Sequence, residues 1–300
     1  MLNNNKNPIS VSIIGGSGYT GAELIRLISK HAYFELNQVV ANRNAGKKIQ
    51  DIFPHLRHLK LPDFISFEQM NFDNVDLIFC ALPHSTSQEI IVKIPRGKKI
   101  IDLSADFRLE RIEEYERWYG SKHIAHSLQE KAVYGLTEIY KEKIKNGSLI
   151  ACTGCNSAAT LYPVLPLLSE GVVNSDNLTI NIGAGVSGAG RDARQNIIHA
   201  EVSEGIKPYN IGKHRHIAEL EQEFKKATDN KIGITFIPHL LPQNRGVLVS
   251  IPIASPASIV HKTLNNFYKN APFIIHAENC IDGTDKWLKE NSKKYNLEYY

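Results

Sequence analysis

The stretch from Val11 to Ser29 constrains this chain more than any other. A short apolar run, Val11 to Ile14, is followed at once by Gly15-Gly16-Ser17-Gly18-Tyr19-Thr20-Gly21. Ala22 to Ser29 then places apolar residues at helical spacing. That order is strand, glycine turn, helix. Gly16, Gly18 and Gly21 satisfy G-x-G-x-x-G, and Gly15 adds a second reading, G-x-x-G-x-x-G. Glycines permit the tight turn and let backbone approach a pyrophosphate, and the helix start offers unpaired N–H groups and a positive dipole end. Gly15, Ser17, Gly18, Tyr19, Thr20 and Gly21 are therefore the expected cofactor contacts. The blander alternative is an ordinary glycine-rich strand-to-helix turn. The second strand, Leu36 to Ala41, runs into Asn42-Arg43-Asn44 without the acidic residue that would bond the ribose 2′-OH of NAD. Arg43 suits a 2′-phosphate, so NADP(H) is the expected cofactor; a solvated surface cation is the competing reading.

Further strands follow at Val75 to Ala81 and Lys99 to Leu103, with a helix expected from Ser87 to Ile94. Strands alternating with helices imply a doubly wound parallel sheet. The second half differs. Asn177 to Gly183, Gly233 to Pro238 and Gly246 to Ile253 read as strands, separated by a glycine-rich loop, Gly183 to Gly190, and a polar helix, Ile217 to Thr228. The expected architecture is α/β: a Rossmann dinucleotide-binding domain over 1–150, then an α+β domain with a mainly antiparallel sheet over 151–276.

With 300 residues and a net charge of +4, the chain is too mildly basic to point to nucleic acid, and no run of Lys and Arg appears. No apolar stretch is long enough to span a bilayer. The first ten residues carry no apolar core of a secretory signal. Four cysteines do not make a disulfide framework, so a reducing cytoplasm is the expected compartment.

Cys155 follows Gly154 and opens an apolar helix. A thiol there has its thiolate stabilised by the helix dipole, which lowers its pKa. Nearby backbone N–H groups could hold an oxyanion. Both features suit a nucleophile that attacks an acyl carbon. Pro163 and Pro166 imply a kink or break soon after. Cys152 and Cys155 are formally C-x-x-C, but zinc needs about four ligands and none stand at ligand spacing, so no metal is expected. His214-Arg215-His216-x-x-Glu219 puts a carboxylate one helical turn from an imidazole it could orient. A surface cluster is the alternative. A nicotinamide cofactor, a cysteine and a histidine together permit thioester formation, hydride acceptance and collapse to an aldehyde.

At this point the chain resembles the N-acetyl-gamma-glutamyl-phosphate reductases of arginine biosynthesis, from Val11 to Phe273. The resemblance rests on the glycine turn through Leu24, Leu82-Pro83-His84, Asp102-Leu103-Ser104-Ala105-Asp106-Phe107-Arg108-Leu109, Trp118-Tyr119-Gly120 and Tyr134-Gly135-Leu136-Thr137-Glu138. It continues through Gly154-Cys155, Val186-Ser187-Gly188-Ala189-Gly190-Arg191, His214-Arg215-His216, Pro238-His239-Leu240-Leu241-Pro242 and Arg245-Gly246. It implies a semialdehyde dehydrogenase-like fold and NADPH-dependent reduction of N-acetyl-L-glutamyl 5-phosphate to the 5-semialdehyde with release of phosphate. It implies Cys155 as nucleophile, His216 as acid/base and Glu219 as its orienter. Pro83, Ser187 and Gly188 join the cofactor contacts, and Arg108, Arg191 and His214 the substrate contacts. The implied partners are a small acyl phosphate and further copies of the chain, as a dimer or tetramer. An aspartate-semialdehyde dehydrogenase-like enzyme and a truncated, inactive or regulatory relative are the alternatives. Two departures accompany the resemblance. Cys152-Thr153 and Asn156-Ser157-Ala158 flank Gly154-Cys155 where the family usually has Asn-Pro and Tyr-Pro-Thr. Ala277 to Tyr300 lacks the family's C-terminal segment, and a divergent polar tail is expected there.

Overall fold

Seven strands form the first sheet of the computed structural model, which describes residues 8–173 and 176–276. They are β1 (Ile9–Ile14), β2 (Phe34–Val40), β3 (Phe64–Ile65), β4 (Leu77–Cys80), β5 (Lys99–Asp102), β6 (Ala132–Gly135) and β7 (Leu149–Cys152). The order across the sheet is β3-β2-β1-β4-β5-β7-β6, and every pairing is parallel. Parallel strands need crossovers and are covered on both faces, which is why they read as apolar runs rather than alternations. Val11 and Ile13 are fully buried on one face with Val39, Ile25 and Phe64, while Ile14 packs on the other with Ile78 and Cys80. The chain order reverses between β1 and β4. Strand exits diverge there, opening the crevice in which such sheets bind ligands.

The second sheet holds β8 (Asn177–Gly185), β9 (Lys207–Pro208), β10 (Gly233–Leu241) and β11 (Val247–Ser250), in the order β11-β8-β10-β9. Its strands were expected to be mainly antiparallel. The sheet is mixed, and its longest pairing, nine residues of β8 against β10, is parallel. The reason lies between them: helix His216–Ala227 makes the crossover that returns the chain in the same direction. Only the short pairings of β9 with β10 and β11 with β8 are antiparallel. Leu178, Ile180 and Ile182 point from β8 into a core shared with Leu161, Val164, Leu220 and Phe224 of the covering helices.

Two further expectations change. A division after residue 150 would cut through β7, which pairs with both β5 and β6. The helix opened by Cys155 runs unbroken to Ser169 through Pro163 and Pro166. A proline at 166 leaves the Tyr162 carbonyl without its helical N–H. The hydroxyl of Tyr268, on helix Ala257–Tyr268, donates to that carbonyl instead. The expected divergent tail, 277–300, lies outside the described residues. Among the described residues no helix is long and apolar enough to cross a membrane.

Candidate active site

Parallel strands deliver their C-terminal ends to one edge, and the expected functional residues gather there. β1 exits into the glycine turn. Gly15 has φ +88, and a Cβ on it would lie 2.4 Å from the Ala81 carbonyl oxygen, so only glycine passes between β1 and β4. Gly18 stands before helix Tyr19–Ile28 without a side-chain cap, and a Cβ added there would meet nothing within 4 Å. The first helical N–H groups thus have no side-chain cap, with Tyr19 and Thr20 exposed beside them and Ser17 and Gly21 completing the turn. Arg43 is exposed just past the end of β2, in the turn Asn42–Asn44.

β4 exits into Leu82-Pro83-His84-Ser85. Ser85 has φ +68, which a non-glycine residue adopts only when its surroundings hold it there. Asp106 does so: its carboxylate accepts the N–H groups of Ser85 at 2.7 Å and Gln88 at 3.0 Å and the Tyr115 hydroxyl at 2.8 Å. Asp102 accepts the hydroxyls of Ser87 and Ser104, each at 2.6 Å, and burial raises its carboxyl to about 6. The long motif after β5 is thus a clamp on the loop that carries Pro83 and His84.

β7 exits through Thr153 and Gly154 into helix Cys155–Ser169. Cys155 is exposed, and its thiol points 3.6 Å from Asn156 Oδ1. Desolvation in the crowded cleft pushes the thiol up, outweighing the local backbone N–H groups and the Arg108 charge that pull it down. The acidic thiol expected from the helix terminus alone is not what this environment produces. Cys152 is raised further by burial, to about 11.

Gly154, the residue before Cys155, is where the His216 ring packs. A Cβ there would lie 2.3 Å from His216 Nε2. The missing side chain is the space the imidazole fills. The His216 backbone N–H donates to His214 Nδ1 at 3.2 Å, and the two rings sit 4.7 Å apart. Burial lowers His216 to about 4, with Arg108 acting in the same direction and Glu219 against it. Its ring is therefore neutral at pH 7. Among the described residues its buried Nδ1 has no hydrogen-bond partner.

Glu219 was expected to orient that ring. Its Oε1 lies 3.9 Å from His216 Nε2, beyond hydrogen-bond reach, and the neutral ring makes no ion pair with it at pH 7. Its close partners are others. It is fully buried and accepts the Gly154 N–H at 3.0 Å, the Tyr134 hydroxyl at 2.7 Å and the Thr153 hydroxyl at 3.3 Å, and pairs with Arg108 Nη1 at 3.3 Å. Burial works against the charge, but Arg108, His216 and these donors hold the carboxyl below its ordinary range. Glu219 thus anchors the turn that presents Cys155.

Three expected substrate contacts have other surroundings. Arg108 is buried, and Nε, Nη1 and Nη2 donate to the Cys152 carbonyl at 2.6 Å, Glu219 at 3.3 Å and the Leu103 carbonyl at 3.1 Å. Its guanidinium ties β5 and β7 to helix His216–Ala227 instead of opening onto the cleft. Arg191 lies over Phe53 and donates to the Ser17 carbonyl at 3.0 Å, so it belongs to the glycine turn. His214 is buried against Tyr209 and Phe236, and burial lowers it to about 4. Ser187 and Gly188 lie on the loop that brings Arg191 to the turn. Ser187 spends its hydroxyl on the Asn244 carbonyl, and Gly188 faces open space. Pro83 is exposed on the clamped loop. Among the described residues no group of three or more His, Cys, Asp or Glu side chains could hold a metal ion.

Comparison with known proteins identifies the family and the fold. The model of the semialdehyde dehydrogenase NAD binding domain matches residues 10–147, and that of the semialdehyde dehydrogenase dimerisation domain matches residues 155–296. The N-acetyl-gamma-glutamyl-phosphate reductase of Rhodobacter capsulatus is 47% identical over 265 residues, covering 88% of this chain and 78% of its own length. That of Roseobacter denitrificans is 48% identical over 266 residues, with the same two shares. The chain belongs to the N-acetyl-gamma-glutamyl-phosphate reductase family. The fold is that of solved aspartate semialdehyde dehydrogenases. The enzyme with NADP from Candida albicans matches with a TM-score of 0.59 at 19% identity, covering 86% of this chain and 76% of that one. Aspartate semialdehyde dehydrogenase II of Vibrio cholerae matches with a TM-score of 0.61 at 14% identity, covering 87% and 79%.

The two family matches leave a gap at 148–154, which is β7 and its exit turn. Thr153 lies in that gap and Tyr134 and Asp106 before it, and none was assigned a role from the residues alone. Tyr134 and Asp106 stood inside long motifs, which marked them as worth a question. Thr153 stood only as a departure from the usual family pattern.

Proposed function

We propose that this chain reduces N-acetyl-L-glutamyl 5-phosphate to N-acetyl-L-glutamate 5-semialdehyde with NADPH, releasing phosphate. The observation that carries the reading is the His216 ring packed against Gly154, the residue before Cys155, at the exit edge of a dinucleotide-type sheet. The uncapped helix after Gly18 and the open space beside that glycine fit a pyrophosphate, and Arg43 fits a 2′-phosphate. Pro83, Ser187 and Gly188 would complete the cofactor contacts. NADPH supplies a hydride when bound.

The chain's own residues do the rest. His216, neutral at pH 7, takes the proton of the Cys155 thiol, which its raised pKa keeps on sulfur until a base removes it. Cys155 Sγ bonds to the acyl carbon, the bond from that carbon to the phosphate oxygen breaks, and phosphate leaves with the electron pair. A thioester on Cys155 results. The protonated His216 returns its proton when the reduced carbon–sulfur adduct forms. It removes a proton again as that adduct collapses to the aldehyde and frees the thiolate. The N–H groups at the start of helix Cys155–Ser169 are placed for a developing oxyanion, except that of Gly154, which Glu219 occupies. Second copies of the chain complete the assembly in this reading, as the name of the matched dimerisation domain suggests.

The test is the reverse reaction, reduction of NADP dependent on both N-acetylglutamate semialdehyde and inorganic phosphate. Turnover with aspartate semialdehyde in place of the acetylated substrate, or none with either, would refute the proposal.

A further inference from the structure

With Arg108 and Arg191 committed elsewhere, the cleft still holds one unneutralised guanidinium. We propose that Arg215 is the receptor for a substrate oxyanion beside Cys155, taking the phosphoryl or carboxylate group that Arg108 and Arg191 do not reach. This rests on the acyl-phosphate reading above and names a contact within it.

Arg215 is exposed, immediately precedes His216, and is seated rather than free. Its Nη1 donates to His84 Nε2 at 2.8 Å, and its guanidinium lies 5.0 Å from the Tyr119 ring centroid. That ring is itself fixed. Tyr119 stacks at 4.9 Å on Tyr115, which is fully buried and gives its hydroxyl to Asp106. His84 is on the loop that Asp106 clamps. An aromatic face and a histidine acceptor therefore hold the guanidinium, and no carboxylate lies within ion-pair distance of it in the described residues. An exposed cation seated by neutral groups keeps its charge available to an anion that arrives from outside.

The sheet gives the location. His84 follows β4 and Cys155 follows β7, with β5 between them. Two strand spacings separate the exits, about 10 Å. From the other direction, Arg215 is one residue from the ring that fills the space beside Gly154. An acyl phosphate whose carbon meets Cys155 Sγ has an oxyanion within reach of this guanidinium.

Alkylation of Cys155 tests this without the physiological substrate. Iodoacetate carries a negative charge and iodoacetamide does not, so their rate ratio at the Cys155 peptide, read by mass spectrometry, reports local positive charge. Arg215→Gln should lower the ratio about tenfold, as expected for one unit charge at this range in a partly hydrated cleft. Arg215→Lys should restore most of it. Arg111→Gln, which removes an equal charge from the exposed surface, should leave it unchanged. In the native chain, slowing of alkylation by inorganic phosphate assigns the site to the phosphoryl group and slowing by N-acetylglutamate to a carboxylate; either effect must vanish in Arg215→Gln. A ratio unmoved by Arg215→Gln, or protection that survives it, overturns the proposal. Failure of the substrate reading would instead appear as absent turnover with an intact alkylation ratio.

Discussion

Gly154→Ala isolates the contact on which the chemistry depends. Gly154 has φ −66 and ψ 148, which alanine adopts without strain. The substitution therefore leaves the backbone alone, and by restricting the unfolded chain it contributes about 0.4–1 kcal/mol of stability. Against that, its methyl would sit 2.3 Å from His216 Nε2, 2.6 Å from Cδ2 and 2.7 Å from Cε1. Ordinary carbon contacts are about 3.5 Å, so the ring must move by about 1 Å. Overpacking of this kind costs about 1–3 kcal/mol when the neighbours cannot yield. The ring is largely buried beside Gly154, so after the unfolded-chain gain the net loss of stability should stay below about 3 kcal/mol. Activity has no such margin. A displacement of about 1 Å between nucleophile and proton acceptor costs on the order of 100-fold in rate. The assay is kcat/KM for phosphate-dependent NADP reduction, alongside thermal melting. In a cycle with His216→Ala, the alanine at 154 should cost nothing further, because the ring it displaces is gone. If Gly154→Ala keeps activity within about threefold of the native chain, or its loss adds in full to that of His216→Ala, the imidazole does not work from beside Gly154.

Cys155→Ser should abolish turnover with the melting temperature and cofactor binding unchanged, whereas Cys152→Ser should be tolerated; equal losses would favour a dithiol. Glu219→Gln should destabilise by about 3 kcal/mol, because it leaves the Arg108 charge buried without its partner; denaturant unfolding that shows less than about 1 kcal/mol would mean the pair is not closed in solution. His214 and His216 are held near 4 in the folded chain against an unfolded value near 6.5. The unfolded chain binds more protons between those values, so stability is complete above pH 6.5 and lost as pH falls towards 4, by at most about 3 kcal/mol per ring. Melting followed from pH 7 to 4 should decline less steeply in His216→Asn, and an unchanged slope would contradict the burial of that ring. Arg43→Asp should shift preference from NADPH towards NADH, and equal use of both cofactors by the native chain would place Arg43 in solvent.

The first sheet was readable wherever its strands announced themselves. β1, β2, β4 and β5 are apolar runs ended by glycine or polar turns, and their boundaries were met within a few residues. β3, with two residues, was missed, and so were β6 and β7. The last two have four residues each, too short for a period to show, and β7 runs straight into the Thr153-Gly154 turn. Strand direction in the second sheet was unreadable for a different reason. Asn177 to Gly185 and Gly233 to Leu241 alternate as any half-buried strand does, and only the crossover helix between them decides that they run parallel.

The arginines show where residue type stops carrying information. Arg108, Arg191 and Arg215 all stand in long motifs and offer the same guanidinium. What separates them is which strand exit each meets and whether a carboxylate is already there. Arg108 leaves β5 beside the fully buried Glu219, and a buried carboxylate must be paired, so that arginine is consumed by the fold. Arg191 reaches backward to the Ser17 carbonyl, because the loop after β8 lies over the glycine turn. Arg215 meets a histidine and a ring, neither of which cancels its charge. The spacing of Glu219 from His216 suggested a helix-face partner for the imidazole, and that spacing is real. The same carboxylate was nonetheless drawn to Arg108, Tyr134 and the Gly154 N–H by elements more than sixty residues away. A local pattern of i and i+3 names the groups that can meet. Which of them do is settled by whichever long-range partner offers the stronger donor, and here the buried guanidinium outcompetes a neutral ring.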